Sequence, residues 1–127
     1  MVGLSLAETI TIPRHLETPE VRVYINLAPI MDIRDPHTPA PTAADESGRS
    51  SQIFLMEAIV RKGNAERRAV ARGRDIYAIT APIVVEATQR VVNGLARTSG
   101  VVSAGEAFDS RDFLRSLAPA HLSFEIQ

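Results

Sequence analysis

The sequence contains no cysteine, and this absence removes several kinds of chemistry at once. Disulfide bonds, thiol nucleophiles and thiolate metal ligands are all excluded. Lysine is almost missing too, since Lys62 is the only one and arginine supplies the rest of the cationic charge. Arginine suits forked contacts to carboxylates and phosphates, although a GC-rich genome produces the same preference.

Long apolar runs and a strong net charge are also lacking. No run approaches the roughly 20 apolar residues that a membrane helix needs, and the beginning, MVGLSLAETI, lacks the basic residues of a secretory signal. The net charge of -1 gives no general attraction to nucleic acid or to an acidic membrane. We therefore expect a cytoplasmic protein that binds neither. The length of 127 residues predicts a single domain, residues 1–127, with a real core.

The familiar motifs of catalysis and cofactor binding are missing as well. There is no glycine-rich dinucleotide loop and no Walker loop, and the residues around Ser50 do not form a Gly-x-Ser-x-Gly elbow. His15, His37 and His121 stand apart, whereas a metal needs several converging ligands. The sequence therefore predicts no catalytic residue, no metal and no cofactor site in this chain.

Alternating apolar residues predict strands over residues 4–12 and 20–28. The pattern then disappears, and the abundant Pro, Asp, Ser and Thr predict a long loop at about residues 29–52. Loops of this length often cover binding sites. Its segment ADESGRSSQ could fold over a polar ligand or serve as a mobile linker.

A β-hairpin is predicted around Gly63-Asn64, a good two-residue turn. The turn fixes a register in which Phe54 lies opposite Gly73 and Leu55 lies opposite Arg72. One face then carries small apolar residues on which helices can pack. The other face mixes aliphatic side chains, arginines and Glu57, which we expect to pair with a diagonal arginine, Arg68 or Arg72.

Helical spacing of polar residues predicts a helix over residues 80–94, with Thr80 as its N-cap. Residues 103–119 carry two further start signals, Ser103 with Glu106 and Asp109 with Asp112. Alternation over residues 121–126 predicts a last strand. The fold class is therefore α+β, with a mostly antiparallel sheet and two helices packed on one face.

Arginines cluster between residues 61 and 74. They indicate either a surface that binds an anion or nucleic acid, or a solvated hairpin face or a subunit contact. Nucleic acid is not expected, because Tyr77 is the only aromatic side chain near enough to stack on a base. The candidate ligand-binding residues are Arg49, Glu57, Arg72, Arg74 and Tyr77.

GRDIYAITAPIVVEATQRVVNG, then TSGVVSAGEAFDSRDFLRSL and a terminal strand, resemble the C-terminal part of saccharopine dehydrogenase-like oxidoreductases. The upstream TITIPRHL, VYINLAP and ADESGRSSQ fit the same region, so the resemblance covers most of the chain. In that family a Rossmann domain binds the nicotinamide cofactor, and a second α+β domain forms the substrate cleft and much of the dimer contact. This chain resembles only the second domain, so NAD(P) is implied for a full-length relative alone.

The first functional hypothesis is therefore an accessory or truncated substrate-binding and dimerisation domain, inactive alone. It forms a homodimer through the exposed sheet face and meets a Rossmann domain in cis or in trans. The alternative is a stand-alone dimeric module that binds a small anionic ligand. A self-sufficient hydrolase or isomerase needs a converged acid-base pair, and the sequence shows none.

Overall fold

The structure is a computed structural model, and it describes residues 1–127. Helices and strands alternate irregularly along the chain. In order they are β1 (Val2–Leu4), α1 (Glu8–Thr11), β2 (Val23–Ile25), α2 (Leu27–Arg34), β3 (Ile53–Lys62), β4 (Ala65–Arg74), α3 (Thr80–Val92), α4 (Ala104–Ala107), α5 (Ser110–Leu117) and β5 (Leu122–Ile126).

Both sheets are antiparallel, and the α+β class predicted from the sequence is confirmed. The chain divides into two compact units. The first unit comprises residues 1–40 and 98–107, and the second comprises residues 41–97 and 108–127. The single domain expected from the length stays a prediction. None of the helices is both long and apolar enough to cross a membrane.

The first unit differs from its sequence prediction. Residues 4–12 were expected to form one strand, but β1 ends at Leu4 and α1 follows. Glu8 interrupts the alternation there, and the Thr9 hydroxyl donates to the Leu6 carbonyl over 2.7 Å, which favours a turn. The predicted second strand is likewise short, and α2 takes up the beginning of the predicted loop. Pro29 does not prevent α2, because a proline in the first helical turn gives up no intrahelical hydrogen bond.

The second unit contains a three-stranded sheet in the order β3-β4-β5. The hairpin register is the predicted one, from Lys62 opposite Ala65 to Ile53 opposite Arg74. The predicted terminal strand is confirmed as β5, which pairs with β4 so that Leu122 lies opposite Gly73. Val70, in the middle of β4, is the most buried large side chain at 2% exposure. The central strand β4 therefore carries the most buried large side chain of the sheet.

The core of the second unit lies on the sheet face that carries Gly73. Ile79, Leu117 and Leu122 form its buried centre. Half-buried apolar side chains pack around them: Phe54, Phe113, Leu114, Ala118 and Phe124. A methyl group at Gly73 would fall closer to the Phe54 ring than van der Waals contact allows. Gly73 therefore leaves room for the Phe54 ring of the neighbouring strand. The packing of two helices on one face stays a prediction.

The junction between β4 and α3 is a turn that the sequence prediction missed. Thr80 was expected as the N-cap of α3, but the helix begins after Ile79 without any side-chain cap. Instead Asp75, at a φ of 58°, accepts hydrogen bonds from the backbone N–H groups of Tyr77 (3.1 Å) and Ala78 (2.9 Å). Asp75 therefore ends the strand and organises the turn, because a short acidic side chain tolerates the left-handed conformation.

Residues 103–119 form two short helices instead of one. Both start signals are confirmed. The Ser103 backbone N–H donates to the Glu106 carboxylate over 2.9 Å, and the Glu106 N–H donates to the Ser103 hydroxyl over 3.4 Å. Asp109 accepts from the Asp112 N–H over 3.0 Å. Each polar pair thus starts its own helix, as a capping box does.

Candidate functional site

Three arginines of the hairpin, Arg61, Arg68 and Arg72, are paired with acidic residues of the same sheet. Glu57 accepts from Arg68, as the predicted register required. Arg72 contacts Glu125 of β5 over 3.5 Å. These side chains remain partly exposed, so each ion pair contributes little stability. Because of these ion pairs, neither Glu57 nor Arg72 offers an unpaired charge to a ligand.

Arg74, at the end of β4, holds the loop that precedes the hairpin. Its guanidinium donates to the Asp45 carboxylate over 2.6 Å and to the Ser47 hydroxyl over 3.2 Å. The Ser47 hydroxyl and Arg74 together lower the pKa of Asp45 to about 2. The segment from Asp45 to Ser47 therefore lies against Arg74, held by two side-chain hydrogen bonds.

Asp75 fastens the same loop a few residues later. The Ser50 backbone N–H donates to Asp75 Oδ2 over 2.8 Å, and the Asp75 N–H donates to the Gln52 carbonyl over 2.7 Å. The bond from the Ser50 N–H, followed by that from Ala78, holds the pKa of Asp75 below its usual value. The end of the predicted long loop thus lies against the end of β4 through hydrogen bonds that a free linker would not make.

Arg49 differs from the other predicted arginines, because it has no carboxylate within ion-pair distance. Its Nη2 atom lies 3.3 Å from Nδ1 of His121, and both side chains are half-buried. Because a guanidinium can only donate, Nδ1 of His121 accepts in this contact, and the remaining N–H groups of Arg49 can donate to a carboxylate or phosphate oxygen. This pair is the strongest anion-binding feature among the predicted site residues.

The five predicted site residues do not converge on one point. Glu57, Arg72 and Arg74 share one face of the sheet in the observed register. Arg49 lies with His121. Tyr77 is 76% exposed, and its ring stacks on no other aromatic side chain. The structure thus brings the predicted residues to the second unit, but it divides them among separate contacts.

Arg90 is the residue that sequence reasoning undervalued. It is 8% exposed, and it bonds Glu86 over 2.6 Å and Asp112 over 2.8 Å. Its guanidinium also lies 5.2 Å from the centre of the Phe113 ring. Glu86 raises the pKa of Arg90, and Arg90 in turn holds the pKa of Glu86 below its usual value. The only sequence signal was the i,i+4 spacing of Glu86 and Arg90, which does not reveal α5.

One group in the first unit contains the residue types of a hydrolase. The Ser103 hydroxyl lies 3.4 Å from Nδ1 of His15 and 3.1 Å from the Glu106 carboxylate. A catalytic triad needs the acid to orient the histidine, but here the acid contacts the serine, and His15 Nδ1 also lies 2.9 Å from the Thr11 carbonyl. Glu106 and Ser103 instead form the capping box of α4.

Neither the cleft in the first unit nor any group of metal-ligating side chains provides a further candidate site. An open cleft of about 290 Å³ in the first unit contains none of the five predicted residues; its walls are Gly3, Leu4, Ser5, Thr9, Val21, Arg22, Val23 and Tyr24. The only charged group there, Arg22, is paired with Glu20 over 2.7 Å. No group of three His, Cys, Asp or Glu side chains is arranged to hold a metal ion.

Comparison with known proteins identifies no relative of this chain. No protein-family model matches it, and neither the curated proteins nor the solved structures contain a significant match.

Proposed function

We propose that this chain is an accessory or truncated substrate-binding and dimerisation domain of a saccharopine dehydrogenase-like NAD(P)-dependent oxidoreductase, and that it is not catalytic alone. The resemblance of its C-terminal motifs supports the enzyme class. A Rossmann domain, in cis or in trans, would supply the cofactor. The domain itself would supply a homodimer contact through its exposed sheet.

The observation that carries the assembly role is the imbalance between the core and the surface. Only five hydrophobic residues are buried, namely Val70, Ile79, Phe108, Leu117 and Leu122. By contrast, β3 alone exposes five large hydrophobic side chains: Ile53, Leu55, Met56, Ile59 and Val60. Ile53, Leu55 and Ile59 lie on one face of this strand, and Met56 and Val60 lie on the other. Exposed apolar side chains gathered along one strand indicate a protein contact in a soluble protein.

Sedimentation velocity and calorimetry test this proposal together. We expect the purified chain to sediment as a dimer and to give no heat of binding with NADH or NADPH. Tight binding of either nucleotide to the isolated chain would refute the assignment of the cofactor to another domain. A strictly monomeric chain at high micromolar concentration would refute the assembly role.

A second candidate function is a stand-alone dimeric module that binds a small anionic ligand. The unpaired Arg49 beside His121 favours it, because a guanidinium without a carboxylate partner is free to accept an anion. Ser50, next in the chain, is buried and hydrogen-bonded to Asp75, so the backbone that carries Arg49 is fixed. Fixed donors lower the cost of ordering on binding.

Titration with inorganic phosphate and with citrate tests the second candidate. We expect measurable binding to the wild-type chain and at least a tenfold loss in Arg49→Gln, the loss typical of one charge-assisted contact. Arg115→Gln, an exposed position on α5 outside every ion pair, is the matched control and should bind like the wild type. Equal binding by all three proteins would exclude the Arg49 site.

A further inference from the structure

The strand β3 is an unprotected sheet edge. It pairs with β4 on one side only, since the strand order is β3-β4-β5. Its ladder runs without a bulge from Ile53 to Lys62, and every residue except Phe54 is exposed. The strand contains no proline or glycine. Natural edge strands are usually short, bulged or interrupted, because a long flat edge pairs with other strands.

The turn determines which backbone groups of β3 are free. Lys62 and Ala65 close a two-residue hairpin, and such a closing pair exchanges its backbone hydrogen bonds. Alternate residues, counted back from Lys62, therefore bond to β4. The residues between them, among them Glu57, Ile59 and Arg61, direct their N–H and C=O groups to the open edge.

The charges on the edge are complementary to those of a second copy of β3. In an antiparallel pair of identical strands, centring on Ile59 places Glu57 opposite Arg61 of the second copy, and Arg61 opposite its Glu57. Centring on Glu57 would oppose two carboxylates, and centring on Arg61 would oppose two guanidiniums. Opposite charges across strands stabilise a pair and like charges destabilise it.

We propose that two copies of this chain join through antiparallel pairing of β3, with the two-fold axis at Ile59, into one continuous six-stranded sheet. This inference rests on the proposed assembly function and names its contact. Ile59 packs on its own symmetry mate, and Ala58 lies opposite Val60 on the other face. Arg61 already bonds Glu66 over 2.8 Å, and Glu57 already bonds Arg68. Pairing therefore creates an alternating row of charges, Glu66, Arg61, then Glu57 and Arg68 of the second copy.

Charge exchange tests the register. Glu57→Lys alone and Arg61→Glu alone each place like charges opposite one another twice in the homodimer. We expect each to weaken dimerisation by about tenfold or more. An equimolar mixture of the two variants restores both opposite-charge pairs, so native mass spectrometry should show mainly the mixed dimer. Glu17→Lys and Arg111→Glu, both exposed and outside the edge, are the matched charge controls.

Cross-linking provides an independent test, because the chain has no native cysteine. Ile59→Cys places two thiols opposite each other across the axis, within disulfide reach, and mild oxidation should link the dimer in high yield. Glu57→Cys places its two thiols about 13 Å apart along the strands, four residues out of register, and should not link.

The outcomes separate this inference from the proposed function. The Ile59 register is supported if the two charge variants form mainly the mixed dimer and if oxidation links Ile59→Cys but not Glu57→Cys. A wild-type dimer that neither charge variant weakens, or that links equally through Glu57→Cys, overturns the edge contact and leaves the assembly role intact. A monomeric wild-type chain overturns both.

Discussion

Arg90 joins α3 to α5, and its replacement gives a quantitative test of the second unit. In Arg90→Leu the side chain keeps its apolar stem but loses the guanidinium. Glu86 then loses a charge-assisted hydrogen bond of 2.6 Å in a site that is mostly shielded from water. Asp112 loses its ion pair, and Phe113 loses a cation above its ring.

The expected destabilisation follows from these three contacts. A hydrogen bond to a charged group contributes about 1.5–3 kcal/mol, and a partly buried cation-π contact adds about 0.5–1 kcal/mol. Asp112 is 70% exposed, so solvent screening reduces its ion pair to under about 1 kcal/mol. The leucine recovers about 1 kcal/mol through burial of its branched end. We therefore expect a net loss of about 1–4 kcal/mol.

Urea denaturation followed by circular dichroism measures this loss. Arg90→Lys should fall between the wild type and Arg90→Leu, because an ammonium keeps the charge but lacks the fork that reaches two acids. Arg111→Leu on α5, exposed and outside every ion pair, should stay within about 0.5 kcal/mol of the wild type. If Arg90→Leu also stayed within that margin, the link between α3 and α5 would carry no stability and the reasoning would be refuted.

Three further predictions concern the end of β4. Gly73→Ala should destabilise by about 1–3 kcal/mol through overlap with the Phe54 ring, and adding Phe54→Leu should restore part of that loss in urea denaturation. Arg74→Gln should raise the pKa of Asp45 above its present value of about 2, measured by carboxyl NMR titration. In the wild type the folded pKa of Asp45 is depressed, so its stability contribution is complete above its ordinary pKa near 3.8 and disappears as the pH falls through about 2. Asp75→Ala should lower the melting temperature and expose the Ser50 amide to hydrogen exchange, whereas unchanged exchange would contradict the role of Asp75 as the loop anchor.

The hairpin could be predicted because one short turn determines its whole register. Once Gly63-Asn64 is placed, every pair from Lys62 to Ile53 follows, including the diagonal approach of Arg68 to Glu57. The capping roles of Ser103 and Asp109 could also be predicted from the sequence, because each residue contacts a group three residues away. Such contacts depend only on residues that lie close together in the sequence.

The N-terminal part of the first unit was harder to predict, because its sequence contains no comparable local signal. Residues 8–11 alternate well enough for a strand, and residues 27–34 contain a proline, yet both form helices. The elements β1, α1 and β2 have only three or four residues each, which is too few for a hydrophobic period to emerge. Thr80 likewise does not cap α3, and Asp75, five residues earlier, organises the turn that leads into the helix.

The residues of the candidate site were predicted from the sequence, but the side chains that contact them were not. Arg72 and Arg74 are where the register places them, but the acids that neutralise them, Glu125 and Asp45, come from distant parts of the chain. Only a fold reveals such partners. The same holds for Arg49, whose neighbour His121 lies 72 positions away in the sequence.

These acids also determine which part of the sheet can meet a partner. On the face of β4 that carries Val70, the pairs Glu57–Arg68 and Arg72–Glu125 stand on either side of the buried valine. A partner that lay flat on this face would have to desolvate or break both pairs, and burying charges without new partners is costly. Pairing at the edge of β3 leaves both in place and gives Glu57 a second cation. The paired Arg68 and Arg72 therefore disfavour a partner on that face, and the edge of β3 beside them is the contact that we propose.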